Sequence, residues 1–369
     1  MIQLKSYLKF LLLAFVIFSI GCDKDDDDTP TYEIPTTYSF KNVNYSGQTQ
    51  RLAMMNELKS YMTTSRSDGA VLDANRLKAM YANDAANAQF TNTYDTSKQL
   101  KDKTFENART DFDTLLEALA LASESTVEGS EGTSGIIQSL DGTRSYLIGD
   151  SGLDHAQLIE KGLMGACFYY QSTAVYMGED KMNVDNETVT DGEGTTMEHH
   201  WDEAFGYLGV PIDFPTNTDG IVFWGSYSNQ RNDVLGSNQK LMDVLLKGRA
   251  AISNGDLDTR DEAIEEAREI WELIGVGSAL HYLNSGIANF DDMALRAHAL
   301  SEGIGFLYGL QFNPDKRVTN QEVNDLLTVI AGSSDFASMN LYNTTVEKLQ
   351  QAKDELAAAY GLEAQKDEL

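Results

Sequence analysis

Apolar residues recur every three or four positions along most of the chain, the spacing that gathers them on one side of an α-helix. In QRLAMMNELKSYM, Leu52, Met55, Leu58 and Met62 share a face; in FENARTDFDTLLEALALA, Phe105, Phe112, Leu115, Leu116 and Leu119 do the same. The same period predicts helices over residues 153–178, 196–208, 236–253, 259–289, 291–311, 320–331 and 340–360. Start signals accompany two of them: Asp258 or Thr259 ahead of RDEAIEEA, and Thr319 followed by Glu322, the pattern of a capping box. Runs that alternate with period two are almost absent. The expected fold is therefore an all-α helical bundle, or two fused bundles over about 38–208 and 236–369.

Three interruptions break the periodicity. ESTVEGSEGTSG, residues 124–135, reads as a flexible Gly/Ser connector, and residues 178–196 as a polar one. The third, an aromatic-rich loop over 209–235, would join the two bundles and is long enough to serve as a lid.

The start of the chain has a different character. Lys5 and Lys9 precede the apolar run FLLLAFVIFSIG, which is too short to span a membrane and has the form of a secretory signal over residues 1–21. A cysteine, Cys22, follows the small Gly21, as in a bacterial lipoprotein, so Cys22 is expected to carry lipid. Residues 22–37, beginning DKDDDD after the cysteine, read as an acidic tether whose like charges hold it extended. That run is similar to the acidic tag that sends some lipoproteins to the outer face of the outer membrane. Display on the cell surface is expected ahead of a periplasmic location. With Cys22 acylated, only Cys167 remains, so no internal disulfide forms and Cys167 reads as a small core residue. The terminal KDEL, residues 366–369, reads as the frayed end of an amphipathic helix.

Charge narrows the partners. The chain has 28 Lys plus Arg against 57 Asp plus Glu, a formal charge of -29, and loss of the signal makes it more acidic still. Nucleic acid is excluded as a partner, because it rewards clustered positive charge, whereas cations and basic partners suit the surface.

The densest chemistry lies in TTMEHHWDEAFGYLG, residues 195–209. On a helix His200 and Glu203 share a face, with His199 four residues before Glu203. Imidazole and carboxylate together make a half-site for a divalent metal such as iron or zinc, and further ligands would have to come from neighbouring helices. His298 and Glu302, four apart in RAHALSEG, are the first candidates, followed by Asp154, His155 and His281. The competing reading is a hydrogen-bonded His/Glu pair that ties two helices together. Trp201, Phe205 and Tyr207 read as core and rim packing, Glu198 and Asp202 as a solvated face. No HExxH is present, and the Gly/Ser fragments at 132–135 and 149–152 read as loops. NGDLDTRDEAIE, residues 254–265, has acidic residues at calcium-loop spacing but Thr259 in place of the glycine, which favours a helix cap.

The segments YSFKNVNYSGQTQRL, EKGLMGACFYYQ, HHWDEAFGYLGVP, LMDVLLKGRAAI and RAHALSEGIGFLYGL together resemble an uncharacterised family of bacterial lipoproteins carried as a domain of unknown function, over about residues 37–360. More distantly the chain is similar to the imelysin-like proteins, which are helical, lipid-anchored or periplasmic, and carry a GxHxxE motif. His200-Trp201-Asp202-Glu203 matches the HxxE part, with Glu198 where that motif has glycine. The resemblance implies a two-bundle fold and a role in handling iron or another cation, with His200 and Glu203 as ligands. The expected function is a surface-anchored lipoprotein that binds a metal ion or an iron-bearing ligand and assists an outer-membrane uptake system, through a TonB-dependent receptor or an imelysin-like protein. A metal-dependent hydrolase using Glu203 as base, and an adaptor whose histidines are structural, remain the alternatives.

Overall fold

In a computed structural model, residues 31–67 and 69–369 are described; the signal peptide, Cys22 and most of the acidic tether lie outside them. Residues 34–369 fold as one compact unit. It is predominantly helical, as the periodicity predicts. In chain order come α1 (Ser46–Thr63), α2 (Ala74–Ala82), α3 (Arg109–Ser123), the antiparallel hairpin β1 (Gly135–Gln138) and β2 (Ser145–Ile148), and α4 (His155–Leu163). Then follow α5 (Glu179–Met182), α6 (Thr196–Gly206), α7 (Trp224–Leu235), α8 (Ser237–Asn254), α9 (Leu257–Ala288), α10 (Met293–Gly309), α11 (Asn320–Ala331) and α12 (Val346–Tyr360).

Each start has a local cause. Thr319 and Glu322 close the expected capping box. Asp256, rather than Asp258 or Thr259, caps the long helix α9 by accepting from the Thr259 amide at 3.1 Å, which makes the 254–265 acidic run a helix start. The stripes bury as the spacing requires: Leu52, Met55, Leu58 and Met62 from α1 join Phe112, Leu115, Leu116 and Leu119 from α3 in a contiguous core that runs from Tyr38 to Leu369. Segments on both sides of residues 209–235 contribute to it. Cys167 is fully buried there.

Four expectations change. The helix predicted over 153–178 is α-helical only to Leu163 and continues as π-helix over Met164–Tyr169 and Gln171–Tyr176. Its close packing on α10 requires glycine: a Cβ on Gly165 would stand 2.4 Å from the Gly309 Cα. The supposed loop 209–235 is half helix, α7, and its aromatic residues Phe214, Phe223, Trp224 and Tyr227 are core rather than a lid. Trp224 enters because its indole N–H finds the Met164 carbonyl at 2.9 Å. The 124–135 connector is tied into the hairpin by bonds such as Gly129 N to Ile136 O, 3.2 Å. The KDEL end is docked, not frayed: the Asn284 amide donates to the carbonyls of Lys366 and Leu369, and Lys353 pairs with Asp367.

Candidate functional site

Helix α6 begins with a capping box formed by Thr195 and Glu198, where the sequence pattern predicts Glu198 on a solvated face. The Thr195 hydroxyl accepts from the Glu198 amide and the Glu198 carboxylate accepts from the Thr195 amide. Glu198 is therefore no solvated residue. It also takes a bond from Arg249 Nη1 on α8, at 2.6 Å.

The inward face of α6 carries Asp202, expected to be solvated and in fact fully buried. Its Oδ1 accepts from Tyr38 Oη and from Arg249 Nε, both at 2.8 Å. Burial outweighs the attraction of Arg249 and pushes the Asp202 carboxyl up to about 6. Trp201, Phe205 and Tyr207 are core, as expected. Trp201 sits on α8 with its indole N–H on the Leu245 carbonyl, where Gly248 leaves room for the ring. Phe205 stacks on Tyr38 with centroids 3.7 Å apart.

The half-site lies on another part of the same helix, with His200 buried and Glu203 half-buried. His200 Nδ1 lies 2.9 Å from the Lys181 carbonyl, and a carbonyl can only accept, so Nδ1 holds the proton. Burial keeps the ring's pKa below the ordinary histidine value, so at neutral pH the ring is uncharged and Nε2 has a free lone pair. One turn on, Glu203 Oε1 accepts from Gln48 Nε2 of α1 at 2.9 Å and from Tyr176 Oη at 3.0 Å. Its second oxygen, Oε2, is 3.9 Å from His199 Nε2. His200 and Glu203 are thus held by different partners rather than bonded to each other.

The other candidates do not join them. Asp154 caps α4 and receives His298 Nδ1 at 2.9 Å. Glu302 is 4.0 Å from His298 Nε2 and 3.3 Å from the buried Lys161 ammonium, which also pairs with Glu160 at 2.8 Å. A cation already stands in that acidic corner, so Glu302 and His298 belong to an ion-pair network between α4 and α10. His298 stacks on Tyr146, whose ring Arg66 also faces. His155 lies beside Gly149, and His281 packs edge-on against Tyr282. Among the described residues no group of three His, Cys, Asp or Glu side chains is placed to hold one ion.

Sequence reading missed Gln48, Tyr176 and Arg249. For Arg249 a signal existed: in LMDVLLKGRAAI it falls among apolar core positions, and a buried guanidinium needs carboxylates opposite. Gln48 and Tyr176 had none, since they reach Glu203 from elements remote in the chain.

No curated protein and no solved structure matches this chain. One family model does, described as Domain of unknown function (DUF4856), over residues 35–363. The chain belongs to that family of uncharacterised domains.

Proposed function

We propose that this chain is a lipid-anchored surface protein that captures a divalent transition metal, or an iron-bearing ligand, on α6 and passes it to an uptake system in the outer membrane. The observation that carries the reading is the His200 tautomer. His200 Nδ1–H donates to the Lys181 carbonyl, which leaves Nε2 with a lone pair on the same helix face as Glu203, the arrangement by which metal-binding histidines are oriented. Gln48 and Tyr176 fix one oxygen of Glu203 and leave Oε2 to coordinate. His200 and Glu203 are the ligands, with His199 beside them.

Two donors from one helix hold an ion loosely, with water or the cargo's own ligands completing its shell. That suits a carrier, which must release what it binds. The acidic surface favours cations, and anchoring through Cys22 would place the site near an uptake partner such as a TonB-dependent receptor or an imelysin-like protein.

Isothermal titration of the purified full chain with Fe(II), Zn(II) and Mn(II) tests the reading. Wild type should bind at least one ion, and His200→Ala and Glu203→Gln should each weaken that binding by about tenfold or more, equivalent to about 1.4 kcal/mol. Absence of binding by wild type, with both variants less heat-stable, would instead make the motif a helix tie.

A further inference from the structure

A cleft of about 380 Å³ opens beside the π-helical segment, lined by Tyr170 and Ala174 and by residues of α3, α10 and α11. Its volume falls in the range of small-molecule sites. We propose that it binds a neutral saccharide, independently of any metal on α6.

The floor is aromatic. Phe105, Tyr170, Tyr308 and Phe312 line it as a connected cluster: Phe105 meets Tyr170 at 5.2 Å and 74°, and Tyr308 meets Phe312 at 5.2 Å and 71°. Edge-to-face packing turns ring faces in different directions, so the cleft offers several flat apolar surfaces rather than one slot. The C–H faces of a pyranose ring stack on such surfaces.

The walls are amide. Asn107, Gln311, Asn320 and Asn324 line the same cleft, and their side chains make no hydrogen bond among the described residues. Each amide brings donors and an acceptor. Paired donors and acceptors above aromatic faces match vicinal hydroxyls. An apolar ligand would bury these amides unsatisfied, which opposes its binding. A strongly charged ligand finds no matching field, since the cleft's charges are one carboxyl, Asp111, and one ammonium, Lys316. The amides of Asn107 and Asn320 are exposed, so a ligand seated at the floor can continue outward as a longer chain.

Local backbone supports the assignment. Tyr170 stands at the junction of the two π-helical stretches, a local geometry found often at functional sites because the wide turn reorients a side chain. Its hydroxyl, like the amides, makes no bond among the described residues.

The test is isothermal titration of the purified full chain with cellobiose, maltose and N,N′-diacetylchitobiose, with glucuronic acid as the charged comparison. Saturable binding of at least one neutral disaccharide is expected, weakened about tenfold or more, equivalent to about 1.4 kcal/mol, by Tyr170→Ala and by Asn324→Ala. Tyr170→Phe, which keeps the ring, should retain it. Metal titrations should be unchanged in all three variants, which separates failure here from failure of the α6 site. Should Tyr170→Ala not fold, Asn324→Ala, near the surface of α11, decides alone. No saturable binding of the three disaccharides, binding of glucuronic acid only, or affinity indifferent to Asn324→Ala would overturn the proposal.

Discussion

Asp202 and Arg249 show what one misjudged residue conceals. In the sequence Asp202 looks like part of a polar helix face, yet both it and Arg249 are fully buried and bonded to each other at 2.8 Å. Such a pair contributes little net stability, because each charge has been taken out of water; removing one partner alone is what costs, about 3–5 kcal/mol. Arg249→Met should therefore lower the urea midpoint of unfolding sharply, and the double variant Asp202→Asn with Arg249→Met should recover most of the loss. If the single and double variants unfold at the same urea concentration, the carboxylate is not the source of the cost. The same logic separates the two histidine sites. At Glu302 the neighbouring positive charge is Lys161, on another helix, whereas His200 faces a backbone carbonyl and keeps a free nitrogen. Spacing within one helix could suggest both pairs but could not distinguish them, since the deciding groups come from far along the chain.

Among the secondary-structure elements, helices with clean apolar stripes were legible and their ends lay within a few residues of the caps. The exceptions were set by tertiary contact. Helix α7 contains Gly225, Ser226, Ser228, Asn229 and Asn232, poor helix formers, and is held through Trp224 and Tyr227 in the core. The change from α to π hydrogen bonding after Leu163 leaves no mark on apolar spacing, although Gly162 and Gly165 hint at close approach. That approach can be tested. A methyl group at position 165 would meet backbone, the Gly309 Cα, which has no rotamer with which to yield. Gly165→Ala should cost about 1–3 kcal/mol by overpacking. Gly47→Ala in α1 is the contrast, because there the nearest atom is the far end of Arg51 at 3.3 Å and alanine is the better helix former. Thermal melts should place Gly165→Ala well below wild type and Gly47→Ala at or slightly above it; the reverse order would refute the backbone-contact account.

The whole molecule combines an expected surface anchor with a core that contains buried titratable groups, and each feature predicts a response. If Cys22 carries lipid, Cys22→Ala should shift the protein from the membrane fraction to the soluble one in a fractionated cell; a variant that stays with the membrane refutes the anchor. Acid should destabilise the folded domain. Burial holds His155, His200 and His281 below their ordinary pKa, so as pH falls through about 6.5 the unfolded chain takes up protons that the folded one refuses, and stability drops until the folded values are reached. Glu160, pushed up by burial but held lower still by Lys161 and Lys59, adds its loss only below about 4.5. Asp202 runs the other way: raised to about 6, it binds its proton in the folded state first, so acidification between about 6 and 4 favours folding by relieving a buried charge. Asp111, also raised by burial, acts in the same direction as Asp202. Between about pH 7 and pH 5 the histidines therefore lower stability on acidification and these two carboxyls raise it, in a window in which most of the 57 acidic side chains stay ionised and the self-repulsion of the acidic surface changes little. Melting temperature measured at intervals across that window should fall more steeply on acidification in Asp202→Asn, which removes an opposing contribution, than in wild type. A melting temperature that holds level from about pH 7 to pH 5 once both opposing carboxyls are removed, in Asp111→Asn with Asp202→Asn, would mean that the three histidines titrate alike in the folded and unfolded chain. The lone pair assigned to His200 at neutral pH would then rest on the Lys181 carbonyl alone.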